Sequence, residues 1–105
     1  MQLWMAQPCA PGDLPVAGGP TRTLMWTWAP HAVRVNGIVP TSLLTPLTQE
    51  VLSDSQVHGK IVARTPMGRV GVPHDLGGAM LFLASRASSL VPGHVLAVDG
   101  GWLAW

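Results

Sequence analysis

Apolar positions fall at two different spacings in the second half of the chain. Leu76, Ala79, Met80 and Leu83 recur at i, i+3, i+4 and i+7, the stripe of an amphipathic helix over 73–86. Pro73 suits the first helical turn, where a missing N–H costs nothing. Asp75 complements the positive end of the helix dipole. Gly77 and Gly78 each lower helix propensity by about 1 kcal/mol relative to alanine, a cost that close approach to a sheet would offset. HVLAV at 94–98 then reads as a short buried strand, and Asp99-Gly100-Gly101 as a turn. A second β-branched run, AVRVNGIV at 32–39, has the composition of a parallel strand buried on both faces. Pro40 closes it.

The remaining segments carry weaker patterns. TRTLMWTWA at 21–29 is helix-compatible, with Thr21 as its cap and Pro30 as its stop. A long connection over 41–66 holds a helix from about residue 48 to 63, whose apolar stripe is thin (Val51, Leu52, Ile61) and therefore peripheral. Residues 65–72 form a turn-rich bridge. Residues 1–20 hold four prolines (Pro8, Pro11, Pro15, Pro20) with Gly12, Gly18 and Gly19, a spacing that predicts an irregular leader. Two strands and about three helices over 21–105 make an α/β unit, a C-terminal fragment of a Rossmann-type doubly wound parallel sheet. A two-stranded sheet is marginal alone, so weak folding without a partner is expected.

Composition narrows the function classes. The 105 residues are 48% hydrophobic and 10% charged, against about 25% charged in an average globular domain. Such a surface predicts a partner or a tendency to aggregate. The net charge of +1 comes without a basic cluster, which excludes a nucleic-acid partner. The single cysteine, Cys9, allows no internal disulfide and fits a reduced, cytoplasmic setting. No apolar run reaches the roughly 18 residues of a membrane span, and the N-terminus lacks the pattern of a signal peptide. His31, His58, His74 and His94 share no metal-ligand spacing, so no metal site is expected. Ser85, Ser88 and Ser89 lack a nearby base for nucleophilic work. Asn36 reads as a structural hydrogen bonder, Asp75 as a helix-start residue and Asp99 as the residue that holds the Gly100-Gly101 turn. The five tryptophans read as packing residues.

Three motifs together carry a family resemblance. TRTLMWTWAPHAVRVNGIVP resembles L-A-x-E-x-A-P-x-x-I-R-V-N-x-I-x-P-G; PMGRVGVPHDLGGAMLFLAS resembles P-x-x-R-x-G-x-P-E-D-I-A-x-x-x-x-F-L-A-S; and GHVLAVDGGW resembles G-x-x-L-x-V-D-G-G-x. Residues 21–103 thus resemble the C-terminal third of a short-chain dehydrogenase/reductase, and the TPL…ARTPMGRVG spacing is similar to that of gluconate 5-dehydrogenase-like members. The resemblance implies NAD- or NADP-dependent hydride transfer between an alcohol and a ketone or aldehyde. It also implies a small-molecule alcohol or carbonyl substrate, and a homo-oligomer or a partner chain of the same family, with Trp102 and Trp105 at a subunit interface.

In that family a Gly-rich turn holds the pyrophosphate, and a Tyr-x-x-x-Lys pair with a serine works on the substrate oxygen. This chain has no tyrosine, and its one lysine, Lys60, lies in the long connection. GDLPVAGG at 12–19 has the wrong spacing for the Gly-rich turn. VAGGPTRTL has the character of a catalytic-helix remnant that Pro20 is expected to interrupt. No catalytic residue is therefore assigned, and the isolated chain is expected to be inactive. The resemblance places Pro40, Leu43 and Thr45 at the cofactor, with the backbone at Leu43 meeting the nicotinamide carboxamide and Thr45 supplying a hydroxyl. Thr45 is also open to the reading of a loop threonine without a partner. Thr41 stands where the family has glycine, which would restrict the loop backbone. Two other readings of the whole chain stay open, a non-catalytic module that docks onto an intact family member and a decayed reading frame.

Overall fold

The computed structural model describes residues 2–6 and 13–104, with side chains from Gly18 onward. Three strands, β1 (Gln2–Ala6), β2 (Arg34–Pro40) and β3 (Val95–Val98), form one parallel sheet in the order β1-β2-β3. Trp4 stands opposite Asn36, and Ile38 opposite Leu96. Helix α1 (Asp13–Trp28) crosses between β1 and β2. Helices α2 (Gln49–Ser53), α3 (Ser55–Arg64) and α4 (Gly77–Ala84) fill the longer crossover to β3. The architecture is α/β, and the two expected strands pair as parallel neighbours.

β2 forms the core because its β-branched side chains are buried on both faces. Val35, Ile38 and Val39 are at most 4% exposed, and each contributes roughly 1.5–3 kcal/mol through burial. Leu83 of α4 and Leu52 of α2 complete the buried apolar set. Asn36 is fully buried beside them, and its Oδ1 accepts from His94 N at 2.9 Å. Gly37 N donates to His94 O and Gly93 N to Val35 O, so the backbone entering β3 is stitched to β2 before the ladder begins. Arg34 ties β2 to the segment after α4, donating to Ser88 O (2.9 Å), Ser88 Oγ (2.7 Å) and Ser85 O (3.2 Å).

Four expectations change on folding. Residues 1–20 were expected to be irregular, but Gln2–Ala6 is a strand and α1 begins at Asp13; residues 7–12, including Cys9, lie outside the described residues, as does Trp105. The strand draws its backbone hydrogen bonds from β2, which local composition does not register. α1 continues through Pro20, which removes one backbone hydrogen bond from the helix. Gly18 and Thr21 are buried and Met25 and Trp28 partly so, an i, i+3, i+7, i+10 face that packing on the sheet holds despite the lost bond. Thr21 is thus an interior helix residue and not a cap. The helix expected near 48–63 breaks in two at Asp54, whose carboxylate caps α3 by accepting from Gln56 N (2.8 Å) and Val57 N (3.3 Å). Finally, Gly77 and Gly78 face open space, so neither serves a close helix–sheet approach.

The glycines that do matter for packing follow β3. Gly100 and Gly101 have φ of +62° and +91°, and an added Cβ would lie 2.8 Å from Thr65 Cγ2 and 2.9 Å from Pro66 Cγ respectively. Asp99 holds this turn with both oxygens, Oδ1 accepting from Gly101 N (2.9 Å) and Oδ2 from Leu103 N (3.0 Å). Substitutions at the two glycine pairs should therefore act in opposite directions. Gly78→Ala is expected to raise stability by about 0.5–1 kcal/mol, and Gly101→Ala to lower it by at least about 1 kcal/mol. Urea unfolding midpoints of the two variants check this, and shifts of the same sign would contradict it.

Candidate functional site

In a parallel sheet the loops at the carboxyl ends of the strands share one edge, the usual ligand edge of open α/β sheets. β2 and β3 are in register through Pro40 and Val98, so the loops starting at Thr41 and Asp99 leave from that edge together. Thr41 is 7% exposed and has no left-handed φ. The β-branched residue therefore fits the loop without backbone strain. A one-residue parallel bridge then pins Leu43 against Gly71, with Leu44 N donating to Gly71 O (2.8 Å) and Gly71 N to Ser42 O (3.0 Å).

The next turn is organised by Thr48, which the sequence pattern marked only as the approximate start of a helix. Its hydroxyl donates to Leu43 O and accepts from Thr45 N at 2.9 Å. The Thr45 hydroxyl lies 3.1 Å from it and also accepts weakly from Thr48 N at 3.3 Å. A carbonyl can only accept, so the Thr48 proton belongs to Leu43 O and the Thr45 proton points to Thr48. This leaves Thr45 Oγ1 with acceptor capacity. Thr45 is thus neither a partnerless loop residue nor a free donor. The T-x-x-T spacing just before a helix was the available signal.

Pro40, Leu43 and Thr45, the three residues proposed from sequence, all line one cleft of about 400 Å³. Its far wall comes from α2 and α3 through Val51, Leu52 and Ile61. The size falls in the range of small-molecule sites, about 300–1,000 Å³. Across Leu43 lies a second hollow of about 180 Å³, bordered by Arg69, Asp75, Val98 and Gly100.

Arg69 and Asp75 form a bidentate pair at 2.7 and 2.9 Å, and Asp75 Oδ2 also accepts from Val72 N at 2.8 Å. The Arg69 hydrogen bonds, then the Val72 N–H, hold the Asp75 carboxyl well below its ordinary value of 3.8, while Asp75 raises Arg69. Asp75 therefore starts the 3-10 turn Pro73–Leu76 and also anchors the 69–72 loop that grips Leu43. Arg64 stacks 4.5 Å from the ring centroid of Trp102, fixing the chain after the Gly-Gly turn. Among the described residues no cluster of His, Cys, Asp or Glu is arranged for a metal ion, and no helix is long and apolar enough to cross a membrane.

A parallel α/β sheet with a ligand-sized cleft beyond its strand ends is a Rossmann-type arrangement. Comparison with known proteins gives the family. The enoyl-(acyl carrier protein) reductase family profile matches residues 18–103. The chain is 48% identical over 86 residues to 2-dehydro-3-deoxy-D-gluconate 5-dehydrogenase from Escherichia coli, covering 82% of this chain and 34% of that protein. It is 41% identical over 81 residues to gluconate 5-dehydrogenase from Gluconobacter oxydans, covering 77% and 32%. Among solved structures, a gluconate 5-dehydrogenase from Burkholderia cenocepacia in complex with NADP and tartrate superposes with a TM-score of 0.88 at 28% identity, over 99% of this chain and 45% of that one. The chain belongs to the short-chain dehydrogenase/reductase family and is similar to its gluconate 5-dehydrogenase-like members. It spans about a third of the length of the curated relatives it matches.

The pH dependence of the site follows from Asp75. A carboxyl with a lowered folded-state value stabilises the fold above its unfolded value of 3.8 and loses that contribution as pH falls through the lowered value. The stability difference between the parent chain and Asp75→Asn should be constant above about pH 5 and shrink steadily below it. Unfolding midpoints of both proteins across that range test this, and a difference that grows on acidification would contradict it.

Proposed function

We propose that this chain supplies the loop side of the active site in an NAD(P)-dependent oxidoreductase. The reaction moves a hydride between an alcohol and a ketone or aldehyde, and the substrate is a small molecule of that class. The observation that carries the reading is the meeting of Pro40, Leu43 and Thr45 in one cleft beyond β2. Its hydrogen bonds suit a nicotinamide carboxamide. Thr45 Oγ1 has capacity to accept an amide N–H, and Leu43 O, engaged by Thr48 on one lone pair, has a second. The cofactor supplies the hydride chemistry when bound, while these residues orient its amide. A cytoplasmic setting and assembly with itself or another family chain complete the proposal.

The chain has no tyrosine, so the family's proton-transfer pair is not available from its own residues. Purified chain is expected to show no oxidation of NADH or NADPH with carbonyl substrates. NADP titrated into isotope-labelled chain should shift the amides of 41–45 first, and Thr45→Ala should weaken that response. Turnover by the parent chain, or cofactor shifts that avoid this loop, would overturn the proposal.

A second reading, docking onto an intact dehydrogenase of the family, is favoured by the exposure of Trp26 (77%) and Leu81 (71%). Sedimentation of this chain with such an enzyme should then show a stable mixed complex that Leu81→Lys weakens. Independent sedimentation of the two proteins would remove this reading.

A further inference from the structure

Thr48 stands at the N-cap position of α2, where a threonine hydroxyl ordinarily accepts from the first helical N–H groups. It makes no such bond. Its hydroxyl turns back to the 43–45 turn and is fully used there. A hydroxyl has one proton to give and two lone pairs. The proton goes to Leu43 O, the nearer of two carbonyls, with Thr45 O at 3.3 Å. The lone pairs take Thr45 N at 2.9 Å and the Thr45 hydroxyl at 3.1 Å. The Thr45 proton is thereby drawn inward, toward Thr48. Beyond the weak 3.3 Å contact from Thr48 N, Thr45 Oγ1 keeps one lone pair, and Leu43 O keeps one as well. Leu43, Thr45 and Thr48 all line the same cleft. Without the Thr48 hydroxyl, the Thr45 hydroxyl would be free to rotate and to donate as readily as it accepts.

We infer that Thr48 is a positioning residue that fixes the hydrogen-bond polarity of this turn, so that it selects the carboxamide of a nicotinamide over the carboxylate of the nicotinic acid form. The inference rests on the oxidoreductase reading and deepens it. An amide NH2 brings two N–H donors, and Thr45 Oγ1 and Leu43 O are two acceptors for them. An ionised carboxylate only accepts, so it would set lone pairs against lone pairs at this turn. Thr48 acts through Leu43 and Thr45, without a ligand contact of its own.

The test is a pair of titrations on the isotope-labelled full chain at neutral pH, with NADP and with its nicotinic acid analogue. The two ligands differ only at the amide, so the phosphate and adenine contributions cancel in the ratio of their affinities. The amide shifts of 41–45 should saturate at a concentration of NADP roughly tenfold lower than that of the analogue. Thr48→Val keeps the side-chain shape, removes the hydroxyl and should abolish most of this preference. Thr48→Ser restores the hydroxyl and should retain it. A purely structural role would weaken both ligands alike and leave their ratio unchanged. An unchanged ratio in Thr48→Val, or a lost preference in Thr48→Ser, would therefore overturn the inference. Equal binding of the two ligands by the parent chain would overturn it even where Thr48→Val fails to fold. NADP shifts at 41–45 without a preference over the analogue remove this inference and leave the oxidoreductase reading in place, whereas no NADP response at 41–45 removes both.

Discussion

Strand β2 is hydrogen-bonded on both edges and packed on both faces, and it is the only strand so placed among the described residues. Its ladder to β1 and β3 satisfies backbone groups that burial would otherwise leave unpaired. Its ends and its middle each reach outward. Arg34 clamps the segment after α4, Asn36 takes the backbone of His94, and Pro40 releases the loop that builds the cleft. A fault in β2 would therefore displace the cleft as well as the core.

The cleft is built by chain reversals held with polar contacts, not by a deep apolar layer. Gly71 and Leu43 form a one-residue bridge, Thr48 gathers Leu43 and Thr45, and Arg69–Asp75 braces the loop behind them. The Arg69–Asp75 pair is partly exposed, so solvent screening keeps its energetic role modest. Its value lies in geometry, since one carboxylate fixes both the 69–72 loop and the start of the next helix. The opposite side of the strand ends is closed by the Asp99-Gly100-Gly101 turn, where two left-handed glycines let residues 65–67 pack directly on the backbone.

Buried donors without partners mark where this arrangement is incomplete. Among the described residues Asn36 Nδ2 and Trp102 Nε1 are both buried without a hydrogen-bond partner. Such groups carry a desolvation cost of about 1–3 kcal/mol each. Exposed Leu81 and Leu90 add apolar surface outside the cleft. Unpaired groups thus occur in the core, at Asn36 on β2, as well as on the surface.

The sequence by itself determined β2, β3, the Asp99 turn, the roles of Asn36 and Asp75, and the family. Each is encoded locally, in a β-branched run, a capping residue or a long ordered motif. It also brought Pro40, Leu43 and Thr45 forward, and the fold places them together in the cleft. Only the tertiary structure decided that Gln2–Ala6 is a strand and that α1 passes through Pro20, because both depend on pairing and packing with β2. The same holds for the lining of the cleft, whereas the Thr48 hydroxyl contacts are local, reaching back no further than Leu43. The cleft joins residues from the strand end, the loop after it and two helices, and no local pattern of polar and apolar residues reports on such a meeting.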